Sequence, residues 1–235
     1  LMEAYDMKDG TPFVWNNQSN PYDNRDPRMK YTIVCNEMKW PVDPVEIWEG
    51  GTNGLPLQNA TTTGYYLKKY VNNTISFEAG STVTKKQHNW VLFRYGEILL
   101  NYAEAMINAF HDPNYKDAVY NMSAREAVNQ IRGRTNISLP GFPSDITEKD
   151  FVKRLKNERR VELAFEGHRF WDVRRWKELG QTANIYGVKI TKNNEVISYE
   201  KFLLETRAVT DNMYFYPIPN TERFKNPNLG QNPGW

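Results

Sequence analysis

Glu158-Arg159-Arg160-Val161-Glu162-Leu163-Ala164-Phe165-Glu166-Gly167-His168-Arg169-Phe170-Trp171-Asp172-Val173-Arg174-Arg175-Trp176 carries the densest ionic pattern of the chain. Glu158, Glu162 and Glu166 are four apart, so in a helix they share one stripe. Arg159 stands three before Glu162 and seven before Glu166. Two readings compete for these groups. Paired carboxylates are what glycoside cleavage requires. A catalytic acid, however, needs a raised pKa, and surrounding arginines lower it. From Glu148 to Glu178 there are ten Lys and Arg against seven Asp and Glu. The pattern is therefore read as an ion network that fixes helix packing, made specific by the bidentate geometry of Arg–carboxylate pairs.

Outward from this stretch the periodicity stays helical. Thr147 and Asp150 form a loose N-terminal cap, which predicts a helix from Glu148 to Glu166 with Gly167 closing it. A further helical stretch is expected from His168 to Leu179. Upstream, Leu92, Tyr95, Leu99, Tyr102, Met106 and Phe110 step by three or four and line one face. His111-Asp112-Pro113 ends that helix, because the residue before proline avoids the helical region. Ser123 with Glu126 is a capping box, opening an amphipathic helix through Ala124, Ala127, Val128 and Ile131 to Gly133. Glu97 and Glu104 share a face, and Glu104 is expected to meet Arg132 or Arg134. Trp90 and Trp176 abut helices and are read as core.

The flanks are different. Residues 1–90 are crowded with turn signals such as Lys8-Asp9-Gly10, Asn20-Pro21, Asp26-Pro27, Gly50-Gly51 and Asn53-Gly54. Thr32-Ile33-Val34 reads as a strand. In residues 181–235, Ile185–Ile190 and Glu195–Ile197 flank Lys192-Asn193-Asn194 and predict a hairpin. The fold class is mainly α: a helical core over 91–180, packed against the loops and short strands of a ligand-facing 1–90 and an irregular tail at 181–235.

Composition narrows the function. The 235 residues suit one large or two small domains, at roughly 100–200 residues each. Mean hydropathy is −0.73, and no run approaches the ~18 apolar residues that a membrane-spanning helix needs. Lys and Arg number 30 against 28 Asp and Glu, a net charge of +2, which gives no case for nucleic-acid binding. Aromatics at 14% argue against disorder. One cysteine excludes an intramolecular disulfide and a cysteine-based zinc cluster. Cys35 reads as a small buried hydrophobe. His88, His111 and His168 are too scattered for a metal site, and no cofactor is expected. The chain opens on Leu1 with no signal peptide before it and reads as a piece of a longer protein.

Trp15, Trp40 and Trp48 stand among polar and turn residues, outside any apolar periodicity. A ring held on a loop can stack on the C–H face of a pyranose while neighbouring polar groups bond its hydroxyls. These three are the carbohydrate-contact candidates, with Tyr22 and Asn53 behind them. A neutral, hydroxyl-rich ligand suits such a site, and its binding is expected to vary little with salt. The competing reading is that loop tryptophans plug the edge of the helical core.

The motifs form a set. Arg94-Tyr95-x-Glu97-Ile98-Leu99-Leu100-Asn101-Tyr102-Ala103-Glu104-Ala105, Asn129-x-Ile131-Arg132-x-Arg134 and the opening stretch are its helical members. Asn24-Arg25-Asp26-Pro27-Arg28, Thr63-Gly64-Tyr65-Tyr66-x-Lys68-Lys69-Tyr70, Phe215-Tyr216-Pro217-Ile218-Pro219 and Gln231-Asn232-Pro233-Gly234 are the irregular ones. Together they resemble the C-terminal region of the SusD/RagB family over nearly the whole chain. The resemblance implies a mainly helical fold whose tetratricopeptide-like scaffold is mostly missing here. It implies a surface-exposed, lipid-anchored outer-membrane protein that has no catalytic activity. Such a protein captures glycans for a TonB-dependent SusC-like transporter. The alternatives are a module that docks on the transporter without touching sugar, and a glycoside hydrolase. Arg25, Asp26 and Arg28 are expected to be structural.

Overall fold

A computed structural model describes residues 1–17, 20–75 and 86–235. Its described elements run α1 (Met29–Thr32), β1 (Ile33–Val34), β2 (Tyr66–Leu67), α2 (Tyr95–Phe110), α3 (Ala124–Arg132), α4 (Glu148–Glu162), α5 (His168–Arg175), β3 (Asn184–Asn193), β4 (Val196–Thr206) and α6 (Asn220–Lys225), with short 3-10 turns between some of them. The architecture is mainly helical, with one two-residue strand pair and one long hairpin among the described residues.

The largest core lies between α2, α3 and α4. Leu99, Leu100, Ala103, Met106 and Ile107 of α2 meet Ala124, Ala127, Val128 and Ile131 of α3, and Phe151 and Leu155 of α4 close the layer. Ala103, Ala124 and Ala127 are fully buried, which lets α2 and α3 approach closely. Each large side chain buried here contributes about 1.5–3 kcal/mol. The Ser123–Glu126 capping box forms as expected, and the Thr147 hydroxyl accepts from the backbone of Asp150. At the other end of α2, His111 adopts φ 58, so the chain leaves the helix in a left-handed residue.

Four sequence expectations are corrected. The helix begun at Glu148 ends at Glu162, four residues early. Leu163 turns into the core, and Phe165 and Gly167 take φ values of 62 and 85, which no helix continues. The next helix stops at Arg175 because Lys177 is also left-handed, and Leu179–Thr182 forms a separate 3-10 turn. The apolar face of α2 starts later than predicted: Arg94 is its N-cap, and Leu92 and Tyr95 are exposed. Trp90 is not core but 81% exposed, because the segment before the N-cap runs across the surface.

A second cluster joins the N-terminal segment to α4 through Met2, Tyr5, Met29, Ile33, Cys35 and Val161. Cys35 is buried as read, and burial pushes its thiol up to about 12. A third cluster, Val34, Val45, Ile47, Val188, Ile190 and Tyr199, lies under the hairpin. That hairpin forms as predicted but is longer, pairing Asn193 with Val196 through to Asn184 with Thr206. Glu49 N–H donates to Ile190 O and Val188 N–H to Thr63 O, both at 3.0 Å, so backbone covers the outer edge of β3. The strand read at Thr32–Val34 is two residues long, Ile33–Val34, and pairs with Tyr66–Leu67.

Candidate functional site

The carboxylates of the opening stretch are consumed by the architecture. Glu158 accepts from Arg28 Nη1 at 2.5 Å and Arg132 Nη1 at 2.7 Å. Glu162 accepts from Arg28 at 3.0 Å, Arg94 at 2.7 Å and Arg134 at 2.8 Å. Glu166 reaches the same cluster from the turn, through Arg94 at 2.8 Å and Lys69 at 2.6 Å. Asp172 takes Arg159 at 2.7 Å and Arg175 at 3.0 Å. Burial raises the Glu162 carboxyl, but Arg28, Arg94 and Arg134 outweigh it and bring it to about 2. Glu158 is likewise held low against its burial by Arg28 and Arg132. Groups held ionised this way cannot deliver a proton near neutral pH. Glu104 pairs with Arg175 and with the Trp176 indole, not with Arg132 or Arg134, which are taken by Glu158 and Glu162. Arg25 and Arg28 are buried and structural: Arg25 donates to the carbonyls of Met2, Tyr5 and Pro21. Among the described residues no group of three or more His, Cys, Asp or Glu could hold a metal ion.

The cavity that remains lies between the helical part and the hairpin, with a volume of about 670 Å³. Its walls come from Glu3 at the start of the chain, Trp15, the Thr63–Leu67 segment, Arg160 of α4, Arg169 of α5, and Tyr186, Lys201 and Arg207 of the hairpin and its exit. Two glycines make this arrangement possible. Gly64 has φ +78, and a Cβ there would lie 2.5 Å from Val188. A Cβ on Gly187 would lie 2.8 Å from the Phe202 ring and 3.3 Å from Thr63 Cα. The loop and hairpin therefore touch backbone to backbone, and Tyr65 and Tyr66 are delivered to the cavity wall. Tyr66 is fixed by its hydroxyl, which donates to Asn53 O at 2.6 Å.

The predicted ring residues gather around the third cluster without being sealed in it. Trp15, Trp40 and Trp48 are each half-buried and pack against its rim. Trp15 lines the cavity, stands edge-on to Phe13 and donates its indole N–H to Asn17. Trp40 and Trp48 lie outside its lining. Each carries an ammonium over one face: Lys68 over Trp40 at 4.5 Å and Lys192 over Trp48 at 4.7 Å. Tyr22 is packed edge-on between Tyr65 and Tyr199, and its hydroxyl is buried. Asn53 is exposed, and its side-chain oxygen accepts from Glu46 N–H and the Thr52 hydroxyl, which shapes its own loop.

Arg160, Arg169, Tyr65, Tyr66 and Tyr186 enter the cavity wall without having been singled out for it in the sequence. A signal existed for Arg160. It stands two residues from both Glu158 and Glu162, roughly 200° around a helix, so it faces away from the lattice they anchor. Nothing in the sequence places Tyr186 across from it.

A sequence model of the SusD family matches residues 1–235. Two SusD-like proteins of Formosa agariphila are similar. One is 29% identical over 163 residues, covering 67% of this chain and 28% of the relative. The other is 37% identical over 150 residues, covering 61% and 24%. Two solved structures from Bacteroides fragilis share the fold. A SusD-like protein aligns with TM-score 0.81 at 27% identity, over 100% of this chain and 46% of its own length. A SusD-like carbohydrate-binding protein aligns with TM-score 0.71 at 26% identity, over 97% and 47%. The chain thus spans just under half the length of these solved relatives and about a quarter of the curated ones.

Proposed function

The chain belongs to the SusD family, and from that premise we propose that it binds oligo- or polysaccharide without chemically altering it. The glycan is held at the bacterial surface and handed to a TonB-dependent SusC-like transporter in the outer membrane, where the full-length protein is lipid-anchored. Trp15, Trp40 and Trp48 supply the stacking surfaces and Asn53 a polar contact on the same irregular side. One observation carries this reading: the half-buried indole of Trp15 lines a cavity of about 670 Å³ on the loop side, while the carboxylates that cleavage would use are locked in ion pairs. A competing reading, docking on the transporter with no sugar contact, draws on the exposed row Trp90, Leu92, Phe93 and Tyr95, none of which lines the cavity.

Affinity electrophoresis through gels loaded with a panel of polysaccharides tests the proposal. Retardation by at least one glycan, with no release of reducing ends, is expected. Release of reducing ends that disappears in Glu162→Gln would establish a hydrolase instead. No retardation by any glycan, with the fold intact, would leave the docking reading.

A further inference from the structure

Arg160 and Arg169 face the cavity from adjoining helices. Arg160 is half-buried, and its guanidinium has no hydrogen-bond or ion-pair partner among the described residues. Among the described residues Arg169 is bonded only to the neutral Gln181, at 2.9 Å. The carboxylate that acts on Arg160 is Glu3, which is already held by Lys201 at 2.7 Å. A second groove of about 440 Å³ shares Arg160 and Arg169 and runs on past Lys149, Lys153 and Arg154, with Asp6 and Glu178 also on its wall. The buried Arg132 of α3 and Arg159 of α4 are matched to carboxylates. Arg160 is not, and burial and the Arg169 charge bring it down to about 10.

A partly dehydrated guanidinium costs free energy unless a charge-assisted partner meets it. A neutral hydroxyl is a weak partner. A carboxylate or sulfate offers two oxygens to the planar fork and forms shorter, stronger bonds. The aromatic part of the same wall, Trp15, Tyr65 and Tyr186, offers ring surface beside the charge, and Lys201 sits 4.3 Å over Tyr186. We propose that the cavity between α4, α5 and the hairpin selects an acidic glycan, with Arg160 and Arg169 gripping a uronate carboxylate or a sugar sulfate. This inference rests on the glycan-binding reading and names its substrate class. It also reverses the salt-independence expected from the tryptophans alone.

Calorimetry on the full chain tests it with four probes: tetragalacturonate, its fully methyl-esterified form, a κ-carrageenan tetrasaccharide and neutral neoagarotetraose. The acidic member of at least one pair is expected to bind about tenfold more tightly than its neutral counterpart. That advantage is expected to shrink as salt rises to about 0.15 M. The pair that shows it tells carboxylate from sulfate. Arg160→Gln and Arg169→Gln, each checked for folding, are expected to lose the acidic preference. The salt response of the unaltered chain decides the matter even where a variant misfolds. Equal binding of acidic and neutral members overturns the inference and leaves glycan binding standing. An acidic preference that survives both substitutions overturns it too, since a lysine or arginine elsewhere then holds the charge. Silence toward all four probes and toward the polysaccharide panel overturns both.

Discussion

Arg28 donates to Glu162 at 3.0 Å across 134 positions of sequence, and so ties the irregular N-terminal segment to the end of α4. The same guanidinium holds Asp26 and Glu158, so one side chain bridges three carboxylates from two parts of the chain. Breaking such a buried pair leaves uncompensated charge and costs about 3–5 kcal/mol. Glu162→Gln leaves Arg28, Arg94 and Arg134 all short of a partner. It is expected to lower stability by that amount in urea denaturation, with no gain or loss of hydrolysis. A variant as stable as the parent would show that the lattice is ornamental.

The lattice also sets an acid limit. Glu162 sits at about 2 in the folded chain against a usual 4.5. Because the folded value is the lower one, its stabilisation is present above pH 4.5 and is lost as pH falls from there toward 2. The gap is worth about 3 kcal/mol at neutral pH. Glu158, Glu166 and Glu104 are shifted the same way and add to the effect. Denaturation midpoints are expected to hold from pH 7 to 5 and to fall steeply below 4.5. In Glu162→Gln the acid slope is expected to be shallower.

Trp90 provides a contrast with the buried core. At 81% exposure it contributes little packing, and Trp90→Ala is expected to change stability by less than about 0.5 kcal/mol. Phe151 is fully buried edge-on to Phe142, so Phe151→Ala is expected to cost about 3–5 kcal/mol. Thermal unfolding of the two variants side by side checks both values. A large loss in Trp90→Ala would restore that residue to the core.

The helical part was legible because caps and apolar spacing are local. Ser123 with Glu126 fixed a helix start, and Ala127, Val128 and Ile131 fixed its inner face. The break at Glu162 was not legible. Phe165 is an ordinary residue in sequence and left-handed only because Leu163 turns inward while Glu166 is drawn to Arg94 and Lys69. The cavity was less legible still. Its wall joins Trp15, Arg160 and Tyr186, whose proximity depends on long-range packing and on the contact of Gly64 with Val188. Loop aromatics could be picked out as candidates, but whether a ring faces a cavity or, like Tyr22, wedges between two other rings is a tertiary fact.

Gly64→Ala tests that contact directly. The position has φ +78, and the added carbon would sit 2.5 Å from both the side chain and the backbone of Val188. The left-handed backbone alone costs about 1 kcal/mol for a residue with a Cβ, and the clash forces the loop off the hairpin. Tyr65 and Tyr66 move with it. Stability is expected to fall by about 1–3 kcal/mol, and the glycan identified by the polysaccharide panel is expected to bind more weakly. Unchanged binding in a folded Gly64→Ala chain would remove the Thr63–Leu67 wall from the site.

The three indoles should not be equal. Lys68 covers one face of Trp40 and Lys192 one face of Trp48, whereas among the described residues no cation lies over Trp15. Trp15 alone of the three lines the cavity. Trp15→Ala is therefore expected to weaken retention by the glycan about tenfold, or about 1.4 kcal/mol, and Trp40→Ala and Trp48→Ala by clearly less. Trp15 also packs on two clusters, so Trp15→Phe serves as the control: it keeps an aromatic face and most of the packing, and is expected to retain most of the binding. Retention unchanged in all three alanine variants, each shown to be folded, would take the tryptophans out of the site and return them to the role of plugs at the edge of the core.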